Sequence, residues 1–368
     1  MKQKTNAAFV LILTVTVVLM ITIAGCKKTP TSVQESTLKT PAIAVELPEK
    51  YNTPDGMILE ADNNILLNVP NFNNDKFPAV ILKIDENDQL TELFTLPKHP
   101  ETGKSAPLGI GIGADGNLYV ADNQGSVGRT DNKSRLIRVN IKDGKAVNAD
   151  IVVTGIMQAN AVECTKDSVF VTDTNMATVD GKTISGVWRF KNSELAAGPV
   201  HVAPYNTEGE KQDPHLVTTL ITEDKEWWGT VGANGLAIAD DGTIYVCNFG
   251  EACVEEIKLD AAGKVVSQKT LAKGGGMKSA DGMKICPVTG NLIIADFIGN
   301  AVHAVDPATG KVTTIAKNEN NSGGVGGKLD KPSEVCIRSG KIYVSNIDLT
   351  LDGNEHDAPH TVSVIEMD

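Results

Sequence analysis

The sequence predicts an all-β fold, a six-bladed β-propeller of four-stranded blades. Three observations predict it. A unit of about 50 residues recurs six times along the chain. Each unit holds four short β runs separated by tight turns. The sixth unit stops after its third run, and an unassigned run, Ala42-Ile43-Ala44-Val45-Glu46-Leu47, stands before the first. Pairing that run onto the sixth blade closes the ring and covers an exposed sheet edge.

The repeat opens with a polar residue, then usually Gly or Ala, then alternating apolar residues. A turn, a β run and a terminal Asp or Asn follow. One copy reads Ala233-Asn234-Gly235-Leu236-Ala237-Ile238, Asp241-Gly242, Thr243-Ile244-Tyr245-Val246-Cys247-Asn248. Another runs from Ala280-Asp281-Gly282-Met283 through Thr289-Gly290 to Ile294-Ala295-Asp296. A third runs from Pro107-Leu108-Gly109-Ile110 through Asp115-Gly116 to Val120-Ala121-Asp122, and weaker copies begin at Asp55, Asn160 and Ser333. Third runs such as Val302-His303-Ala304-Val305 and fourth runs such as Val312-Thr313-Thr314-Ile315 complete the blade. No segment sustains a helical period over a dozen residues. The interval between units three and four is longer, which places an insertion at about Tyr205 to Gly232. It carries His215 and Trp227-Trp228. The two Trp side chains are candidates for a lid over a substrate pocket, or for packing that plugs the loop.

With 34 basic and 46 acidic residues the formal charge is −12, which argues against a nucleic-acid partner. The N-terminus reads as an address. Lys2 and Lys4 precede an uncharged apolar stretch, Ala7 to Ala24, and Ile23-Ala24-Gly25-Cys26 follows. Small residues before a Cys favour a cleaved secretory signal over a retained span. The pattern resembles the bacterial lipobox, which implies cleavage after residue 25 and lipidation of Cys26. Residues 26–41 then form a flexible tether, and 42–368 form the propeller. The expected location is extracytoplasmic, lipid-anchored to a membrane, the outer one in a Gram-negative host.

Equivalent positions of successive blades form rings about the propeller axis. The first-position ring reads Asp55, Leu108, Asn160, Asn234, Asp281 and Ser333. Four of the six are short oxygen donors. Converging carboxylate and amide oxygens suit a hard cation, most directly Ca²⁺, with Zn²⁺ or Mn²⁺ still open. Asp and Asn before Gly are also common turn formers, so each has a purely structural reading. A second ring, Asp122, Asp173, Asn248, Asp296 and Asn346, reads as hydrogen bonding between blades and turn capping, with Asn68 nearby in blade one. His356-Asp357-Ala358-Pro359-His360 holds potential metal ligands but reads as a solvated loop. The cysteines after Cys26 show no C-x-x-C spacing, and Gly323-Gly324-Val325-Gly326-Gly327 precedes no helix that would make it a phosphate cradle.

Asn234-Gly235-Leu236 and Asp281-Gly282-Met283, one blade apart, resemble the gluconolactonase family, which includes regucalcin (senescence marker protein). The resemblance covers roughly residues 50–368 and is best over 233–311. It implies a six-bladed propeller with one divalent metal at the top of the channel. Its ligands fall on Asp55, Asn234 and Asp281, with Asn160 nearby. It also implies hydrolysis of lactones, with Asp281 orienting or deprotonating the attacking water. This chain departs from the family at two places. Asp55 stands where the family carries Glu, and Gln158, a candidate pocket residue, stands where an Arg often binds sugar acids. Two function classes follow. One is a metal-dependent hydrolase of a small lactone or ester. The other is a non-catalytic surface module like the NHL-repeat propellers, which bind a partner on their blade faces.

Overall fold

The apolar runs that come second in each repeat are buried on both faces, and that dictates the architecture. Successive side chains of a strand point to opposite faces of its sheet. In Leu292–Asp296, Leu292 and Ile294 enter a cluster shared with the preceding blade, while Ile293 and Ala295 enter one shared with the following blade. Leu67 and Leu66 divide between the sixth-to-first and first-to-second interfaces in the same way. A sheet with two apolar faces must be covered twice. In the computed structural model of this chain, each sheet is covered by its neighbours around a ring. The structure describes residues 38–367 except 75, 129, 130, 210, 224 and 225, and only the backbone of residue 227. The expected signal segment and Cys26 lie outside the described residues.

The described residues form six antiparallel sheets whose inner strands are Met57–Leu59, Pro107–Ile112, Ala159–Cys164, Ala233–Ile238, Met283–Ile285 and Pro332–Arg338. Each inner strand touches the next, and the sixth touches the first. The core is therefore divided into apolar clusters, one between each pair of adjacent blades. Blade six is built from Pro332–Arg338, Lys341–Asn346, His360–Glu366 and the early strand Ala42–Leu47. Ala42 lies opposite Val364 and Leu47 opposite His360 in an antiparallel pair.

The segment 205–232 is not simply an insertion. It contains Leu216–Thr222, the outermost strand of blade three, paired to Lys182–Lys191. The sequence pattern hid this strand because Asn192–Ala197, the one α-helix among the described residues, and a loop separate it from its partner. Val200–His201 in between adds a short fifth strand, parallel to Lys145–Ile156, at the edge of blade two.

Candidate metal centre and active site

All six first-position residues line one cavity at the mouth of the channel. The glycines that follow four of them explain why the ring is so tight. A Cβ on Gly56 would lie 2.2 Å from the Leu108 carbonyl oxygen, and one on Gly109 would lie 2.5 Å from that of Asn160. One on Gly235 would lie 2.2 Å from the Asp281 oxygen, and one on Gly282 would lie 2.5 Å from that of Ser333. None of these four glycines has a positive φ, unlike the hairpin glycines Gly116 (φ 76°) and Gly242 (φ 84°). Asp-Gly and Asn-Gly at the inner strands are thus not turn signals. The glycine lets neighbouring strands pass backbone to backbone, with Gly282 N–H donating to Ser333 O at 2.8 Å. The residue before it is left at the axis.

The side chains so delivered are oxygen donors. Asp55 and Asn234 are buried, while Asn160 and Asp281 are half-buried and open to the cavity. Asn160 donates to Thr174 Oγ1 at 3.2 Å, so its amide oxygen is free of that bond. Among the described residues, no Lys, Arg or His lines the cavity mouth. Below the ring, Lys284 is held by Glu334 at 3.1 Å. Depth in the channel pushes Asp281 well above the usual carboxylate range, and the Asp55 and Glu334 carboxylates add to the effect against a hydrogen bond from Asn234. Burial pushes Asp55 to about 7 despite a hydrogen bond from Ser333. Two carboxylates and two amides facing one space, with no compensating cation among the described residues, form a donor set that fits a hard divalent ion.

This arrangement sets a pH dependence. The folded carboxyl of Asp55 holds its proton to higher pH than the unfolded one, whose pKa is about 3.9. The native state therefore binds more protons in that window, and its stability falls as pH rises from about 4 through about 7. Thermal melts of chelator-treated protein are expected to show a midpoint falling over this range. Added calcium is expected to restore the midpoint more at the alkaline end than at the acid end. A midpoint that rises with pH in the metal-free protein would contradict the assignment.

Above the ring the mouth is two-sided, with an open volume of about 190 Å³. Asn123, Ser126, Gln158 and Thr174, from blades two and three, make one side polar. Phe249, Phe297, Ile347 and Leu349, from blades four to six, make the other apolar, and Phe72 and Val231 extend it. A second cavity of about 260 Å³ adjoins it, sharing Phe72 and Ser126. Gln158 thus stands at the mouth. Trp228 does not line it but packs behind, in the apolar cluster of Phe249 and Phe297. The Trp227 side chain lies outside the described residues. The apolar side could have been read from the repeat. Asn123, Thr174, Phe249, Phe297 and Ile347 each directly follow a second-ring residue.

That second ring is a hydrogen-bonding device. Asp296 accepts from the Lys278, Ser279 and Gly299 amides, and Asp173 from Met157, Gln158 and the Trp188 indole. Most of these bonds tie a strand end to the loop entering the same blade. Asn68, which donates to Leu108 O at 2.7 Å, spans two blades. His215 pairs with Asp213 at 2.8 Å and packs on Phe190, away from the channel. Cys164, Cys247, Cys253, Cys286 and Cys336 are free thiols, four of them buried. The pair His356 and His360 departs from the expected solvated loop. Their rings stack at 4.6 Å, and His360 is buried.

No protein-family profile matches this sequence, and no curated protein matches it. Solved structures do. A gluconolactonase from Xanthomonas campestris aligns with a TM-score of 0.57 at 14% identity, over 91% of this chain and 96% of that one. The calcium-binding protein regucalcin from Agrobacterium tumefaciens gives 0.56 at 11%, over 89% and 93%. A luciferin-regenerating enzyme gives 0.56 at 14%, over 89% and 94%. At these identities the likeness speaks for architecture, and the chain has the fold of the gluconolactonase- and regucalcin-type six-bladed propellers.

Proposed function

We propose that the protein is a metal-dependent hydrolase of a small, neutral, partly apolar lactone or ester. The observation that carries this reading is the meeting of Asp55, Asn160, Asn234 and Asp281, from four blades, on the floor of one cavity. These four would hold the divalent ion, which supplies polarisation of the carbonyl oxygen and stabilisation of its developing charge. Calcium fits the all-oxygen donors best, since zinc sites favour His and Cys. Asp281 takes a proton from the attacking water as its oxygen adds to the carbonyl carbon. The same carboxyl returns the proton to the departing alkoxide as the carbon–oxygen bond breaks, leaving a hydroxy acid or an acid and an alcohol. Gln158, Asn123 and Thr174 orient the polar end of the substrate. Phe249, Phe297 and Ile347 take its apolar part and exclude water.

The lining also bears on substrate charge. Among the described residues of the mouth no side chain is cationic, so a free carboxylate on the substrate would face Asp55 and Asp281 without a partner among them. A pH-stat screen is expected to show turnover of neutral lactones carrying an alkyl or aryl substituent, abolished by chelator and restored by calcium. Sugar-acid lactones bearing a free carboxylate are expected to be slower. Metal-replete protein that turns over no lactone or ester would leave the non-catalytic binding module. We place the enzyme outside the cytoplasm, anchored through lipidated Cys26, on the strength of the sequence pattern around that residue.

A further inference from the structure

The loop between the last two strands of the chain gathers a second set of metal-type side chains, outside the channel ring. Oxygens of Asp330, Asp348 and Asp357 all lie within 4.8 Å of one another. Calcium–oxygen distances are about 2.4 Å, so a single ion between the three would touch each. The carboxylates come from separate places. Asp330 precedes the inner strand of blade six, Asp348 follows its second strand, and Asp357 precedes the last described strand, which begins at His360.

Other side chains of the cluster ask for a ligand independently. Asn354 is 3% exposed, and its amide donates to Asp348 Oδ1 at 2.9 Å. Its carbonyl Oδ1 has no partner. Asp330, 1% exposed, likewise has an unpartnered Oδ1. His360 is 3% exposed, and its Nδ1 lies 3.6 Å from Asp348 Oδ2. Buried polar atoms without partners are rare and costly, and an ion is one of the things that explains them. The nearest lysine, Lys331, is taken up by Asp352 at 3.2 Å. Around the acids the supporting contacts are those of a ligand set. His356 Nδ1 sits 2.9 Å from Asp348 Oδ2, His360 Nε2 is 3.0 Å from Glu49, and the two imidazoles stack. Imidazole–carboxylate pairs of this kind fix the orientation of metal-bound carboxylates.

We propose that Asp330, Asp348 and Asp357 bind a second hard divalent cation of the calcium class. The ion pins the loop 348–359 to blade six. Its role is to hold one wall of the mouth, because Ile347 and Leu349, on either side of Asp348, and Leu351 line the cavity. Through Glu49 and His360 it also steadies the seam where the early strand Ala42–Leu47 meets His360–Glu366.

The test is calcium stoichiometry on the chelated and dialysed protein, with calcium chloride as the probe, beside hydrogen exchange of segment 348–359. Wild type is expected to take up two ions. Asp357→Asn alters an exposed side chain, and Asp330→Asn is isosteric. Each is expected to weaken one ion by at least about tenfold and to abolish the calcium-induced protection of 348–359. Asp281→Asn is expected to lose the other ion and keep that protection. Unchanged calcium uptake and unchanged protection in Asp357→Asn and Asp330→Asn would overturn the proposal and leave the acids held by their protein contacts alone. A variant Asp281→Asn that keeps both ions would instead tell against the channel centre alone.

Discussion

Asp281→Asn is expected to lose hydrolytic activity by at least about 10²-fold, the scale of removing one group that stabilises the transition state, while its metal-free form melts no lower than wild type. The two expectations arise from one piece of geometry. Asp281 shares the channel floor with Asp55 and Glu334, and its depth and these like charges disfavour its ionised form. An amide of the same shape removes that burden from the metal-free fold. It also removes the proton acceptor and one anionic ligand. The measurements are initial rates on the best lactone at saturating calcium, and thermal melts with and without chelator. A variant that retains full activity ends the proposed chemistry. One that melts far below wild type without metal would show that Asp281 serves the fold.

Gly235→Ala is expected to destabilise the protein by more than about 1–3 kcal/mol, the usual range for overpacking. Its added methyl would fall 2.2 Å from the Asp281 carbonyl oxygen, a backbone atom that can move only with its whole strand. Such a shift would carry Asp281 with it, so activity should fall even in the fraction that folds. Gly242→Ala is the useful contrast. That glycine has nothing within 4 Å of its missing Cβ but a φ of 84°, so it should cost about 1 kcal/mol through backbone strain, with activity intact. Denaturant melts and specific activity of the two variants, side by side, separate crowding at the axis from strain in a turn. Equal losses in both would mean that the inner strands are less tightly apposed than these distances require.

The blades were legible because burial on both faces gives an unbroken apolar run, and Leu-Ile-Ile-Ala or Ile-Tyr-Val-Cys recurs at one spacing. The axial ring was legible for the same reason. A residue type repeated at one register of a ring must converge on its axis. What the pattern concealed were exceptions to periodicity. Leu216–Thr222 lost its spacing cue to the helix and loop before it. The ion pair of Lys284 with Glu334 lies one layer below the ring, and its members come from different registers of two blades, so no repeat marks them. The role of the Gly in the inner-strand Asp-Gly and Asn-Gly was not legible, because the same dipeptides make turns at Asp115-Gly116 and Asp241-Gly242. Only the distance to the neighbouring strand distinguishes the two uses. The cluster around Asp348 draws on Glu49, Asp330 and the 354–360 loop, a non-local gathering that only the folded chain displays.

The seam in blade six carries a consequence for biogenesis. Its two halves are made at opposite ends of translation, so Ala42–Leu47 emerges from the ribosome long before the strand it must zip to exists. Until then five sheets can assemble while the sixth stays ajar, and contacts of such long range are slow to form. A nascent polypeptide with that delay built in keeps its ring open for most of its synthesis.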